Sequence, residues 1–154
     1  MGAGEKLIAT NRKARHEFHV LEKHEAGIAL KGTEVKSLRN GKASFTDSYA
    51  DVRGGELYLR GVRISPYEQG NIHNHDPDRP RKLLMHKNEI VRLGSQVAEK
   101  GLTLVPLRMY FKNGKAKVEL GLCRGKHKGD KRETLRERVA ERETDRYLKD
   151  LKHR

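Results

Sequence analysis

Tryptophan is absent from this chain, cysteine occurs once, and aromatic residues make up only 5%. Its core must therefore be built from Val, Ile and Leu, and with 34% hydrophobic against 36% charged residues it must be small. A single cysteine, Cys123, excludes an internal disulfide and fits a reducing compartment. It stands at the end of an apolar strand pattern, where a buried structural thiol is expected rather than a nucleophile. No apolar run approaches the roughly 20 residues of a membrane span. Residues 1–6 lack the apolar stretch of a signal peptide, and Lys6 occupies the place where a myristoylation signal has Ser or Thr. A soluble, cytoplasmic protein with no membrane partner is expected. Gly-rich phosphate loops and nucleophile constellations are also missing, so no catalytic residue, enzyme activity or cofactor is expected.

Positive charge is what the chain has in excess. Lys and Arg number 34 against 21 Asp and Glu, a net charge of +13 over 154 residues with a pI near 10.0. That excess repels itself in the folded state, and a polyanionic partner is the usual physical reason for it. The composition changes at Arg124: the last 31 residues hold 12 Lys/Arg against 7 Asp/Glu and few apolar side chains. Upstream the pattern is that of one folded domain.

Residues 1–14 read as a flexible basic leader. Phe18, Val20 and Leu21 suggest a strand that turns at Ala26 and Gly27. Thr33 is placed to cap a short helix running from Glu34 to Arg39, which Asn40 and Gly41 end; Glu34 near its start and Arg39 near its end suit the helix dipole. Two strands flank Gly54 and Gly55, a two-residue link suited to positive φ, and Gly61 marks a bulge in the second of them. Residues 65–80 form a long polar loop with Pro66, Pro77 and Pro80, of a length that is usually functional or disordered. Leu83 to Lys100 reads as the main helix, with Leu83, Ile90, Leu93 and Val97 on one stripe and Gly101 as its stop. The clearest hairpin turns at Asn113 and Gly114, where Val118, Leu120 and Leu122 alternate with Lys117 and Glu119. Pro106 weakens the strand before that turn or puts it at an edge. The expected fold is mainly β with helices: a small antiparallel OB-like β-barrel over residues 15–123, flanking helices, and a basic tail over residues 124–154.

The tail has neither Gly nor Pro from Lys131 onward and offers intrahelical pairs such as Glu143 with Arg146, each worth about 0.2–0.5 kcal/mol. Leu135, Val139, Tyr147, Leu148 and Leu151 are too sparse to pin it to the barrel. It is expected to be disordered when free and helical on a polyanionic surface. A solvated charged helix is the plainer alternative, against which the positive bias counts.

Several stretches together resemble one family. They are Asn11 to Glu17, Glu25 to Leu30, Gly32 to Arg39, Gly41 with Lys42, Asp47 to Tyr49, Arg81 to Leu84, Gly125 with Lys126, and Asp130 to Arg132. They run in order over almost the whole chain, and the set resembles the SsrA-binding protein (SmpB) family, the bacterial partners of transfer-messenger RNA. The resemblance implies an OB-like barrel that binds the tRNA-like domain of transfer-messenger RNA and carries it to stalled ribosomes for trans-translation. It also implies a C-terminal tail lying in the empty messenger channel near the decoding centre, against small-subunit RNA. The chain is expected to be monomeric.

On that resemblance the RNA contacts fall on Asn11, Arg12, Lys13, Arg15, His16, Glu25, Lys36, Arg39, Lys42, Tyr49, Arg81, Lys82, Leu84 and His86. Lys and Arg reach phosphates, with affinity that falls steeply with salt. Asn11, His16, Glu25, Tyr49 and His86 suit the shape, 2′-hydroxyls and unstacked bases by which structured RNA is read. For the tail the ribosome contacts are Lys126, Lys128, Asp130, Lys131, Arg132, Arg136, Arg138, Tyr147 and Leu148. Two other classes are weighed. A metalloenzyme would use some of the eight histidines, among them His73, His75 and His86, but only Asp76 lies beside the pair in the loop, so no metal site is expected. A constitutive ribosomal or RNA-chaperone protein shares the charge and the barrel; RNA partner identity separates the two.

Overall fold

The computed structural model describes residues 4–69 and 74–126. His73 and the tail beyond Lys126 lie outside them, as do the expectations attached to Lys128, Asp130, Lys131, Arg132, Arg136, Arg138, Tyr147 and Leu148. In chain order the elements are β1 (Glu5–Thr10), α1 (Arg12–Glu17), β2 (Phe18–Ile28), α2 (Gly32–Arg39), β3 (Ala43–Arg53), β4 (Glu56–Ile64), β5 (Arg81–Leu84), α3 (Lys87–Lys100), β6 (Thr103–Lys112) and β7 (Lys115–Gly125).

All strand pairs are antiparallel. The order β6-β3-β4-β5-β2-β7 closes through the β6–β7 hairpin, so six strands form a small barrel and β1 lies along β6. This is the expected mainly-β barrel with flanking helices. Period-two alternation, re-phased in β4 at Gly61, fills it: Leu57, Leu59, Val62 and Ile64 from β4 and Val118, Leu120 and Leu122 from β7 all point inward. Leu38 of α2 and Ile90 and Leu93 of α3 join the same core. A smaller cluster of Ala14, Val105 and Cys123, backed by Phe18 and Leu107, fastens α1 to the barrel wall. Burial pushes the Cys123 thiol up to about 11, as befits a structural cysteine.

Turn chemistry places several elements as expected. Asn113 and Gly114 have φ of 52° and 77°, the two left-handed residues of a type I′ hairpin. Gly101 ends α3 in the left-handed conformation, its N–H on the carbonyl of Val97. Gly61 sits opposite a three-residue bulge of β3 with φ of 76°, where a Cβ would lie 2.7 Å from the carbonyl oxygen of Thr46. Only glycine fits there.

Five local expectations are corrected. The leader contains β1 and the first half of α1, because Glu5–Thr10 pairs with Arg108–Lys112, a partner about a hundred residues away. β2 does not turn at Ala26 and Gly27; it continues to Ile28, with Gly27 between Lys117 and Leu84. Thr33 does not cap α2: the carboxylate of Glu34 accepts the Lys31 N–H at 2.8 Å, while Thr33 Oγ1 bonds the His75 ring. Leu83 belongs to β5, not to the helix, which starts only at Lys87. Pro106 does not put its strand at an edge: it lies inside β6, in register with Leu120, where a register shift toward Arg108 begins.

Candidate nucleic-acid interface

The hairpin end of the barrel gathers an unusual set of side chains. β5 alternates, turning Arg81 and Leu83 inward and Lys82 and Leu84 outward. Leu84 is 51% exposed and crosses β2 at Gly27, where a Cβ would come within 3.3 Å of it. With Ile28, Leu30, Val35 and Phe111 it lines an apolar cleft of about 280 Å³, rimmed by Lys115 and Lys117. Glu25 stands on the neighbouring stretch of β2. Its Oε2 accepts the Tyr110 hydroxyl at 2.5 Å and the Lys112 ammonium at 3.4 Å. The Tyr110 hydrogen bond, with help from Lys112 and Lys117, outweighs burial and holds the Glu25 carboxyl below the usual carboxylate range. Apolar floor, cationic rim and one fixed acceptor together match an unstacked base with its phosphates.

The opposite end of β6 carries a second group. Asn11 donates its backbone N–H to Leu107 O and its side-chain Nδ2 to Pro106 O, both at 2.8 Å, and so sets the start of α1. Arg12 and Arg15 are exposed, whereas Lys13 is paired with Asp47 at 3.1 Å and Glu17 at 3.6 Å. His16 is half-buried on the same helix. Tyr49, 43% exposed, borders a pocket of about 210 Å³ with Phe18, Phe45 and Lys13. Here the chain leaves the barrel: Lys126 donates its N–H to Glu17 O and its ammonium to Arg15 O, at 2.8 and 2.9 Å. The root of the tail is thus tied to α1.

A third group lies on α2 and the turn after it. Lys36, Arg39 and Lys42 are exposed, with the Lys36 ammonium 5.4 Å from the Tyr67 ring centre. Lys42 and Tyr67 line a cleft of about 540 Å³. His86 is exposed ahead of α3, its carbonyl taking the N–H groups of Glu89 and Ile90. Lys82 is partly neutralised by Glu56 at 2.8 Å.

Arg81, expected among the RNA contacts, belongs to none of these three surface groups. It is fully buried, with Nε on Glu34 Oε2 at 2.5 Å and its other nitrogens on the carbonyls of Val62 and Pro77 at 2.7 and 3.0 Å. Arg79 reaches the other oxygen of Glu34, and His75, also buried, bridges Thr33 and the Ile64 carbonyl. These bonds clamp α2 onto the 74–80 loop and set the direction in which Lys36, Arg39 and Lys42 project. The sequence-derived set missed Lys112, Lys115, Lys117 and Tyr110. The alternation after Asn113 and Gly114 marked Lys115 and Lys117 as outward-facing, but nothing local placed them beside Glu25.

A family model described as "SmpB protein" matches residues 8–150. The SsrA-binding protein of Carboxydothermus hydrogenoformans is 61% identical over 145 residues, 94% of this chain and 97% of that relative. The SsrA-binding protein of Geobacter sulfurreducens is 56% identical, covering 96% of each. A solved structure described as "tmRNA-SmpB: a journey to the center of the bacterial ribosome" superposes with a TM-score of 0.66 at 57% identity, covering 83% of this chain and 94% of the other. A barrel with this basic, Leu84-centred end, and a sequence matched along nearly its whole length, mean that the chain belongs to the SmpB family of SsrA-binding proteins.

Proposed function

We propose that this chain binds the tRNA-like domain of transfer-messenger RNA and delivers it to stalled ribosomes for trans-translation. It performs no chemical step itself. The observation that carries the reading is the hairpin end of the barrel, where Lys115 and Lys117 rim the cleft at Leu84 and Lys112 stands against the fixed carboxylate of Glu25. The relatives named for SsrA binding and the solved tmRNA-SmpB structure on the bacterial ribosome support it. Leu84 and the apolar floor take an unstacked base, the lysines take phosphates, and Glu25 takes a donor from a base edge or a 2′-hydroxyl. Asn11, Arg12, Lys13, Arg15, His16 and Tyr49 face RNA from the other end of the barrel, and Lys36, Arg39, Lys42, Lys82 and His86 extend the contact on its flanks.

The tail, residues 124–154, then works as a second RNA-binding arm in the empty messenger channel, its root fixed by Lys126 against α1. A cytoplasmic site of action fits this reading, and among the described residues no helix is long and apolar enough to cross a membrane. Capture of total cellular RNA on the full chain should enrich one transfer-messenger RNA species; equal recovery of mixed ribosomal RNA would favour a constitutive ribosomal protein. Truncation after Gly125 should leave the Kd for the tRNA-like RNA within about twofold and abolish tagging on stalled ribosomes. Loss of RNA binding in that truncation would overturn the division between body and arm.

A further inference from the structure

A carboxylate amid an RNA-facing basic surface repels the phosphates that the neighbouring lysines attract. Glu25 is tolerable there only if its orientation is fixed and its free oxygen meets a donor. The geometry provides such a fixed orientation. Both protein donors, the Tyr110 hydroxyl at 2.5 Å and the Lys112 ammonium at 3.4 Å, fall on the same oxygen, Oε2. Oε1 has no hydrogen-bond partner among the described residues, and the side chain is 38% exposed. Tyr110 is itself 2% exposed, and the Arg108 guanidinium lies 4.3 Å from its ring centre. Arg108 is in turn held by Glu119 at 3.0 Å and Glu5 at 3.7 Å. A chain of contacts therefore runs from β1 and β7 through Arg108 to the phenol, and from the phenol to a surface carboxylate.

We infer that Tyr110 is a positioning residue for RNA recognition: by occupying Oε2 of Glu25 it aims Oε1 outward as a single fixed acceptor for an exocyclic base amino group or a 2′-hydroxyl. This rests on the RNA-binding reading of the hairpin end and adds a determinant that is itself out of reach of RNA. An acceptor-only oxygen rejects a phosphate or a carbonyl at that point, so the pair contributes selectivity while Lys112, Lys115 and Lys117 contribute charge. Losing the hydroxyl frees the carboxylate to turn away from this outward orientation and leaves the three lysines in place for phosphate.

The test uses the full chain and a transcript of the tRNA-like domain, with Kd measured across a salt series. Tyr110→Phe should weaken binding about tenfold, the scale of one hydrogen bond to a charged group, at an unchanged slope of log Kd against log salt. Glu25→Gln should weaken it comparably, and the double variant should be no weaker than the worse single one. Glu25→Asp retains the charge but withdraws it from the phenol, lies at the surface, and should lose binding as Glu25→Gln does. Glu25→Asp decides the matter if Tyr110→Phe fails to fold. Full binding by Glu25→Asp, or by a folded Tyr110→Phe when Glu25→Gln is impaired, would overturn the positioning role and leave the RNA contact standing. Full binding by Glu25→Gln would bring down the contact itself, and the positioning role with it.

Discussion

Glu34→Gln removes one charge from a carboxyl group that has no contact with solvent. Glu34 is wholly buried, and three donors converge on it: Arg79 and the Lys31 N–H on Oε1, and Arg81 on Oε2. Glutamine keeps the shape but offers one acceptor oxygen in place of two. Its amide NH₂ would face a guanidinium, and Arg81, equally buried, would keep its charge with no counter-charge on α2. Breaking one side of a buried pair costs about 3–5 kcal/mol. At the entropy of unfolding usual for a domain of this size, that lowers Tm by roughly 10–20 °C. The pH dependence gives an independent check. Burial alone would raise the carboxyl's pKa, but the hydrogen bonds from Arg79, Lys31 and Arg81 outweigh it and hold it below the ordinary 4.5. A depressed folded-state value means stability that is complete above the unfolded pKa and drains away as pH falls through the folded one. The gap between wild type and Glu34→Gln should therefore be constant from pH 7 to about pH 5 and close on further acidification. Urea denaturation at a series of pH values measures it. A loss below about 1 kcal/mol at pH 7, or a gap that persists undiminished at about pH 3, would refute the assignment of the buried clamp.

Two further outcomes follow from packing. Gly61→Ala forces a side chain into a positive-φ position 2.7 Å from the Thr46 carbonyl oxygen and should cost about 1–3 kcal/mol, read as a lower urea midpoint at unchanged m-value. Cys123, buried and with its thiol pushed up to about 11, should resist alkylation at pH 8 in the native protein and react fully once denatured; rapid labelling of the folded chain would contradict its place in the core.

Elements with local turn chemistry were readable directly. The β6–β7 hairpin follows from Asn113 and Gly114, the β3–β4 hairpin from Gly54 and Gly55, and the end of α3 from Gly101, since few residues adopt positive φ without strain. β1 was not readable, because Glu5–Thr10 has no alternation of its own and becomes a strand only by pairing with β6. Leu83 misled for a related reason. Its seven-residue spacing from Ile90 suits a helix stripe, yet pairing with Ile28 and Leu57 holds it in a strand. Arg81 misled most: in sequence it is one of three cations after a polar loop, and its burial depends on Glu34, 47 positions away.

By itself the sequence determined the cationic excess, the division into an apolar-patterned body and a polar tail, the Val/Ile/Leu core and the positive-φ turns. Each of these is a property of composition or of neighbouring residues. Tertiary structure decided which cations face outward and which are consumed in clamps, how Glu25 meets Tyr110 across 85 positions, and that Lys112, Lys115 and Lys117 share a surface with Leu84. Such pairings depend on barrel closure, in which strand register brings together side chains from distant parts of the chain, and no local pattern of charge or hydropathy encodes that register.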